Sequence, residues 1–363
     1  MRIDELYPHI WQPLLQRRAQ LPHALLFIGQ RGLGKFALGK AIAAALLCEQ
    51  PGQAGEACGQ CPACGWQAQG HHPDFRLLQP AAAANHGSGE TDSAVSGDGG
   101  DGGERGTAGE DSGKTVKKKA SQWITIDQVR GLEDFLHVGT HRQGARVVLI
   151  NPAEAMNRAA ANALLKALEE PLPGTVFLLM ASEAHRLLPT IRSRCQTIPV
   201  LRPAHAVAVE WLKQAAVTDA ERWLALAGGA PFLALELAGS GEKTLFDAWL
   251  AQAVRAAEGE VLACAAELDK VLKADPRPGA VKRLIEWAQK WLHDLLLAGR
   301  ALPPRYYLEQ QALLQRLAGR SETRKLLAFN RKTLQYRAQS EQPLNNRLFL
   351  EEFFAGYSSL FRR

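Results

Sequence analysis

The sequence predicts an α/β fold: a parallel sheet with helices on both faces, followed by an all-helical C-terminal part. Short apolar runs alternate with helical stretches over the first 200 residues or so. The strand signal then ends near Pro203, and helical periodicity dominates the rest of the chain. Continuous apolar strands of this kind are typical of parallel sheets that are buried on both faces.

Four apolar runs are predicted as strands, at residues 24–28, 74–78, 146–150 and 176–180. A glycine-containing loop follows the first run, and a helix is predicted from about 34 to 47. The Ala/Leu-rich stretch 157–170 is predicted as a helix that Pro171 ends. Thr125 and Gln128 form a plausible capping box that opens a helix through residue 136.

Residues 81–121 differ in composition from their surroundings. The run GDGGDGGE at 97–104 is rich in glycine and aspartate, and three lysines occupy 117–119. Almost no apolar residue is present, so ordering the segment would not repay its entropic cost. We predict a disordered surface insertion between two strands. The lysine triplet is either part of this solvated linker or a functional basic patch.

The C-terminal part is predicted to be helical throughout. The helical stretches are residues 221–227, 244–257, 280–297, 308–317 and 322–337. Gly228 to Pro231 predict a helix break, and a separate helical domain is expected from near Gly241. The predicted domains are therefore 1–200, 201–240 and 241–363.

The net charge is +6 and the isoelectric point is about 9.0. Such a balance permits contact with nucleic acid and is equally compatible with an ordinary solvated surface. No apolar run has the length that crosses a bilayer, and residues 1–6 lack the apolar core of a signal peptide. We expect a soluble cytoplasmic protein that does not contact a membrane.

The segment GQRGLGK at 29–35 matches the phosphate-binding loop pattern G-x-x-x-x-G-K, between a strand and a helix. Backbone N–H groups around Gly29, Gly32 and Gly34 would bind phosphate oxygens, and Lys35 would reach the outer phosphates. The next residue should carry the hydroxyl that binds Mg²⁺, but it is Phe36, which cannot ligate a hard cation. Nucleotide binding is therefore doubtful, and a turn without any phosphate role is the alternative.

The acids of an ATPase site are also missing. An ATPase of this kind places an acid for Mg²⁺ at the end of a neighbouring strand, and a second acid beside it polarises the attacking water. The strand at 146–150 ends instead in Asn151 and Pro152, and Glu154 comes too late for the metal-binding position. Two independent parts of the hydrolytic site have therefore been lost.

Four of the six cysteines lie close together in the sequence: Cys48, Cys58, Cys61 and Cys64. Four thiolates complete the tetrahedral shell of a structural zinc ion, with no open position for catalysis. The alternative is a set of small buried residues without a metal. His71 and His72 could compete as ligands, but we predict that they are surface residues. Cys195 and Cys264 are isolated, and a packing role is predicted for both.

Ser193, Arg194 and Cys195 follow the last predicted strand. The Arg194 guanidinium could pair with an acid on its own surface. It could instead act in trans as an arginine finger, stabilising charge on the γ-phosphate bound to a neighbouring subunit.

Several of these segments resemble bacterial DNA polymerase III clamp-loader subunits of the AAA+ class. The resemblance lies in LPHALLF at 21–27, the four-cysteine module, ANALLKALEEP at 161–171 and the SRC tripeptide at 193–195. It extends from residue 1 to about 240, and the remainder matches by class only. It implies an AAA+ domain with a zinc module and disordered insertion (1–200), a helical lid (201–240) and a helical collar for oligomerisation (241–363).

The resemblance also implies a role. Motor subunits of the family keep the hydroxyl and the acid pair, and they carry an arginine where this chain has Phe232. A finger combined with a broken ATP site resembles the family's stator, which hydrolyses no ATP itself and supplies Arg194 to the adjacent motor. The implied partners are the gamma/tau motor and delta subunits of the polymerase III holoenzyme, with the sliding clamp and primer-template DNA that the complex brings together.

Three other interpretations remain open. The chain could be an active motor ATPase of the same family. It could be a zinc-stabilised nucleic-acid-binding module with a vestigial nucleotide fold, or a structural scaffold in which Arg194 is dispensable.

Overall fold

The computed structural model describes residues 2–84, 121–137, 144–276, 279–340, 342 and 345–361. The chain divides into two compact units. We call His9–Gly29 with Lys35–Val200 the sheet unit, and Met1–Pro8, Gln30–Gly34 and Leu201–Arg363 the helical unit. The predicted boundaries at 200 and 240 stay predictions.

The sheet unit contains a five-stranded parallel sheet. The strands are β1 (Ala24–Ile28), β2 (Phe75–Leu78), β3 (Arg146–Ile150), β4 (Thr175–Ala181) and β5 (Gln196–Pro199). Their spatial order is β2-β3-β4-β1-β5. Leu25 pairs with Leu178 on one side of β1, and Leu26 pairs with Thr197 on the other. The predicted parallel α/β fold is confirmed.

Strands β3 and β4 are buried along their whole length. Continuous burial of this kind is what the apolar runs predicted, because helices cover both faces of the sheet. The predicted neighbour relation was wrong, however: β4 lies between β1 and β3. Ser182 follows β4, which lies beside β1, whereas Asn151 follows β3, one strand farther away.

The first eight helices are α1 (Ile3–Leu6), α2 (Pro8–Gln16), α3 (Lys35–Leu47), α4 (Pro62–Ala68), α5 (Ala81–Ala84), α6 (Ile126–His137), α7 (Arg158–Glu169) and α8 (Pro189–Arg192). One of the two bonds of the predicted capping box at the start of α6 is shown: the Thr125 N–H donates to Gln128 Oε1 at 2.9 Å. Asn157 caps α7, and its Oδ1 accepts from the Ala160 N–H at 2.8 Å.

The predicted insertion begins later than expected. Ala81–Ala84 form helix α5, where disorder was predicted, because alanine is the best helix former. The Ala82 N–H donates to the Ser121 carbonyl oxygen at 3.0 Å, so the two ends of the segment lie side by side. Residues 85–120, with the Gly/Asp run and the lysine triplet, lie outside the described residues.

The C-terminal part of the helical unit is all helical among its described residues. The helices are α9 (His205–Gln214), α10 (Ala220–Leu226), α11 (Pro231–Ala238), α12 (Ser240–Ala257), α13 (Val261–Ala274), α14 (Ala280–Ala298), α15 (Gln311–Ala318), α16 (Thr323–Gln339) and α17 (Asn346–Ser358). Gly228 and Gly229 have positive φ angles of 68° and 81° and separate α10 from α11, at the predicted break.

Aromatic side chains fill the core of this unit, and their polar ends are paired. The Trp291 Nε1–H donates to the Tyr357 hydroxyl at 2.8 Å, and the Tyr307 hydroxyl donates to the Trp287 carbonyl at 2.8 Å. Buried rings with satisfied polar atoms fix a single packing arrangement. Across the described ranges, no helix combines the length and the apolar character needed to cross a membrane.

Candidate functional site

Lys35, the phosphate-reaching residue of the loop motif, is engaged by the protein itself. It is the first residue of α3 and is buried. Its Nζ donates to the Gly29 carbonyl at 2.8 Å and to Ser182 Oγ at 2.9 Å. The ammonium thus bridges the carboxyl ends of β1 and β4.

Phe36 presents a half-buried ring where a working loop would present a hydroxyl. Lys40 Nζ lies 4.6 Å from the centroid of this ring. The negative face of the ring attracts the ammonium, so the position is covered by a cation–π pair. Neither group is a ligand for Mg²⁺.

The nearest acid after β3 also has partners. Glu154 Oε1 accepts from the Ser182 N–H at 2.9 Å and from the Glu183 N–H at 3.3 Å. These bonds satisfy backbone donors just beyond β4. Asn151, directly after β3, donates its N–H to the Leu78 carbonyl at 2.9 Å. The structure therefore brings Glu154 and Ser182 together with Lys35 in the sheet unit. Sequence reasoning missed Ser182, although polar residues after parallel strands are a known signal.

The two glycines in the middle of the loop motif contact α11 of the helical unit. Gly32 and Gly34 have φ angles of 82° and 81°, which favour glycine. The Gly32 carbonyl accepts from the Phe232 N–H at 2.9 Å and from the Leu233 N–H at 3.2 Å. Phe232, which the resemblance placed at the position of a motor arginine, therefore lies directly against the loop.

The four clustered cysteines converge in space as predicted. Their sulfur atoms all lie within 4.8 Å of one another. Cys48 Sγ is 3.9 Å from Cys61 Sγ, and Cys58 Sγ is 3.9 Å from Cys64 Sγ. A tetrahedral zinc ion with Zn–S bonds of about 2.3 Å separates its sulfurs by about 3.8 Å. The cluster could therefore hold a metal ion with little rearrangement.

Backbone N–H donors favour the metal-binding thiolate form at Cys58, whereas burial opposes it at Cys64. The N–H groups of Gln60 and Cys61 point at Cys58 Sγ, at 3.4 and 3.3 Å, and they lower the pKa of this thiol. Burial raises the pKa of Cys64 to about 12. Donors aimed at sulfur favour the thiolate, which is the form that binds metal.

Two residues that the sequence did not single out attach the cysteine module to the N-terminal segment. Arg18 Nη2 donates to the carbonyls of Leu46 and Cys48 at 2.7 and 3.1 Å. Trp11 Nε1 donates to the Ala54 carbonyl at 3.1 Å. The module thus joins α2 to the end of α3. No local sequence pattern signals these contacts.

The surface prediction was wrong for His72 and correct for His71. His72 is buried, and its Nδ1 accepts the Asp74 N–H at 3.1 Å. The bond closes the tight turn before β2 and draws the ring inward. His71 is exposed. Cys195 and Cys264 are buried, as the packing role requires.

Arg194 lies between α8 and β5, and its side chain is 34% exposed. Its Nη2 pairs with Glu169 Oε1 at 2.5 Å, and its Nη1 donates to the Thr190 carbonyl at 3.0 Å. The ion pair that was one of the two sequence interpretations is therefore present. Ser193 is exposed beside it and donates its hydroxyl to Thr190.

Comparison with known proteins places these features in a family. A family model described as DNA polymerase III, delta subunit, matches residues 9–204. A Pseudomonas aeruginosa protein named DNA polymerase III subunit delta′ is 34% identical, over 98% of this chain and 98% of that protein. The chain belongs to the DNA polymerase III delta′ family. The full-length match includes the helical C-terminal part, which the sequence motifs had matched by class only.

Two further relatives extend the comparison. A second delta′ protein, from Haemophilus influenzae, is 35% identical over 64% of this chain and 61% of its own length. A Bacillus subtilis protein named DNA polymerase III subunit tau is 28% identical, over 58% of this chain and 29% of that protein. The delta′ chain is thus also related in sequence to a tau subunit.

Proposed function

We propose that this delta′ chain is a stator of the DNA polymerase III clamp loader that hydrolyses no ATP itself. The observation that carries the proposal is the joint loss of the metal-binding hydroxyl, at Phe36, and of both acids, at Asn151 and Pro152. Phosphoryl transfer depends on Mg²⁺ held by a loop hydroxyl and a strand-end acid. Glu154 lies three residues beyond the position of that acid, and its Oε1 accepts two backbone N–H groups.

The Lys35 contacts support the same proposal. In a working site the lysine at this position donates to the outer phosphates. Here its Nζ donates to Gly29 and to Ser182 within the sheet unit. We assign Lys35 a structural role that replaces the catalytic one.

Arg194 is proposed as the trans arginine finger for the adjacent motor. The Glu169 partner is 49% exposed and Arg194 is 34% exposed. A pair with this much exposure is worth about 0–1 kcal/mol, so a neighbouring γ-phosphate could replace the carboxylate at small cost. The Thr190 carbonyl would keep one edge of the guanidinium in place during that exchange.

The cysteine module is proposed as a structural zinc site held by Cys48, Cys58, Cys61 and Cys64. The sulfur spacing described above supports zinc. A metal bound there would supply no reaction chemistry, because four thiolates leave no open coordination position. The residues around it, Arg18 and Trp11, would keep the N-terminal segment against the module.

The proposed partners follow from family membership. They are the gamma/tau motor subunits and the delta subunit, assembled as a ring with AAA+ folds. The assembly would load the sliding clamp onto primer-template DNA at the expense of ATP bound to the motors. The isolated delta′ chain is not proposed as an enzyme.

Steady-state ATPase measurement on the isolated chain tests the central element of this proposal. We expect phosphate release at the level of a Lys35→Ala control, with a motor subunit assayed in parallel as the positive reference. Circular dichroism would show that the wild-type chain and the Lys35→Ala variant are both folded. Turnover that Lys35→Ala abolishes would show an active site and overturn the stator proposal.

A further inference from the structure

The segment Gln30–Gly34 belongs to the helical unit by its contacts, although β1 and α3 on either side of it belong to the sheet unit. Hydrogen bonds join this segment to α11. The first N–H groups of a helix have no acceptor within the helix. Two of these donors in α11, those of Phe232 and Leu233, point at the Gly32 carbonyl. The positive end of α11 therefore faces a loop carbonyl.

Side chains of α11 also cover the loop glycines. A Cβ atom added at Gly34 would overlap the Phe232 ring, and one added at Gly32 would overlap the Leu233 side chain. The Phe232 ring packs on Trp211 of α9 on its other side, with a centroid distance of 4.7 Å. The ring is therefore held between Trp211 and the backbone of Gly34.

Two further contacts hold the rest of the segment. Arg202 donates from Nε and Nη2 to Gln30 Oε1, at 3.1 and 2.8 Å. The buried Tyr7 hydroxyl donates to the Leu33 carbonyl. Four of the five residues in the segment thus have a partner elsewhere in the helical unit.

We infer that α11 holds this loop against Phe232 and Leu233 so that it takes up no nucleotide. A triphosphate needs loop N–H groups facing an open, polar space. The Phe232 ring lies directly against Gly34, and a charged phosphate against this ring would lose hydration without gaining a partner. The inference deepens the proposed function, because a chain without turnover could still bind ATP as a fixed ligand.

Hydrogen–deuterium exchange on the full chain tests the inference. In the wild-type protein, the N–H groups of Phe232 and Leu233, which donate to the Gly32 carbonyl, should be protected, and excess Mg-ATP should leave the exchange of peptides covering residues 30–35 and 230–235 unchanged. Phe232→Ala should speed exchange of these peptides by about tenfold or more, the factor that corresponds to about 1.4 kcal/mol. Leu235→Ala, on the exposed side of the same helix, is the matched control and should leave them at the wild-type rate.

The outcomes separate this inference from the stator proposal. Protection of residues 30–35 that increases with Mg-ATP, without turnover, overturns the inference and leaves the stator proposal standing. Wild-type exchange rates in a folded Phe232→Ala variant also overturn it. If that variant does not fold, Phe232→Leu takes its place in the exchange measurement, since it removes the ring and keeps most of the apolar volume. The comparison of wild-type exchange with and without Mg-ATP needs no variant.

Discussion

Lys35 and Lys40 lie on the same helix in different environments, so they form a matched pair for mutation. Lys35 is buried with two protein acceptors, whereas Lys40 is exposed over the Phe36 ring. Lys35→Ala should lower the free energy of unfolding by about 1–3 kcal/mol, because buried acceptors lose their donor. Lys40→Ala should cost about 0.5–1 kcal/mol.

Urea unfolding of the two variants measures this difference. Equal small losses for both would contradict a structural role for Lys35. They would indicate that its ammonium is held no more firmly than a surface lysine.

At the residue scale, the sequence predicted sites where residue type alone decides the chemistry. Phe36 and Asn151 cannot perform the roles of the residues they replace, whatever the fold. Ser182 was missed because it reaches Lys35 across 147 positions of sequence. The surface prediction for His72 was wrong for a related reason: its contacts with the Asp74 N–H and the Trp66 ring follow from the fold and leave no local sequence signal.

At the element scale, the cysteine module makes a prediction about metal content. Purified protein should contain about one zinc per chain, and Cys58→Ser should lose the metal and lower the melting temperature. Cys264→Ser, at a buried position of α13 in the helical unit, is the control: it should keep the zinc even if it changes stability. Elemental analysis beside thermal unfolding measures both. A fully folded wild-type chain without metal would exclude a structural zinc.

Deletion of residues 87–114 tests the predicted insertion. The stretch has too few apolar residues to join a core, and the bond from the Ala82 N–H to Ser121 keeps the segment's two ends together. Shortening the connection should change the free energy of unfolding by only about 1 kcal/mol, by loop-closure entropy. Thermal unfolding would measure it, and a loss of several kcal/mol would show that the deleted segment contributes to the fold.

Elements were predictable where burial leaves a continuous pattern. Strands β1, β3 and β4 are central or fully buried, so their apolar runs stand out. Strand β5 was missed because it lies at the sheet edge, where exposed Gln196 and Thr197 carry no apolar signal. Helix α4 was not predicted, although Pro62 in its first turn is a known helix-start signal.

At the scale of the whole molecule, residue patterns predicted the helical class of the C-terminal part, and only the family resemblance implied its lid and collar roles. The sequence of residues 201–363 carries no catalytic motif that we recognise, and the aromatic core explains stability without identifying a partner. Its membership of the delta′ family comes from similarity along the whole chain. What the sequence could not predict is the contact of residues 30–34 with α11, because it joins segments about 200 positions apart.

The most direct test of the account is the clamp- and DNA-stimulated ATPase of a clamp loader reconstituted with wild-type, Arg194→Ala, Arg194→Lys or Glu169→Gln chains. Each complex would first be shown to assemble. We expect Arg194→Ala to lower the motor ATPase, because a trans arginine stabilises transition-state charge. The loss should be partial, because only some sites in the ring touch this subunit. Arg194→Lys should not restore it fully, because a point charge lacks the planar fork. Glu169→Gln, which weakens only the internal ion pair, should match the wild type. An assembled Arg194→Ala complex with wild-type ATPase would contradict the account.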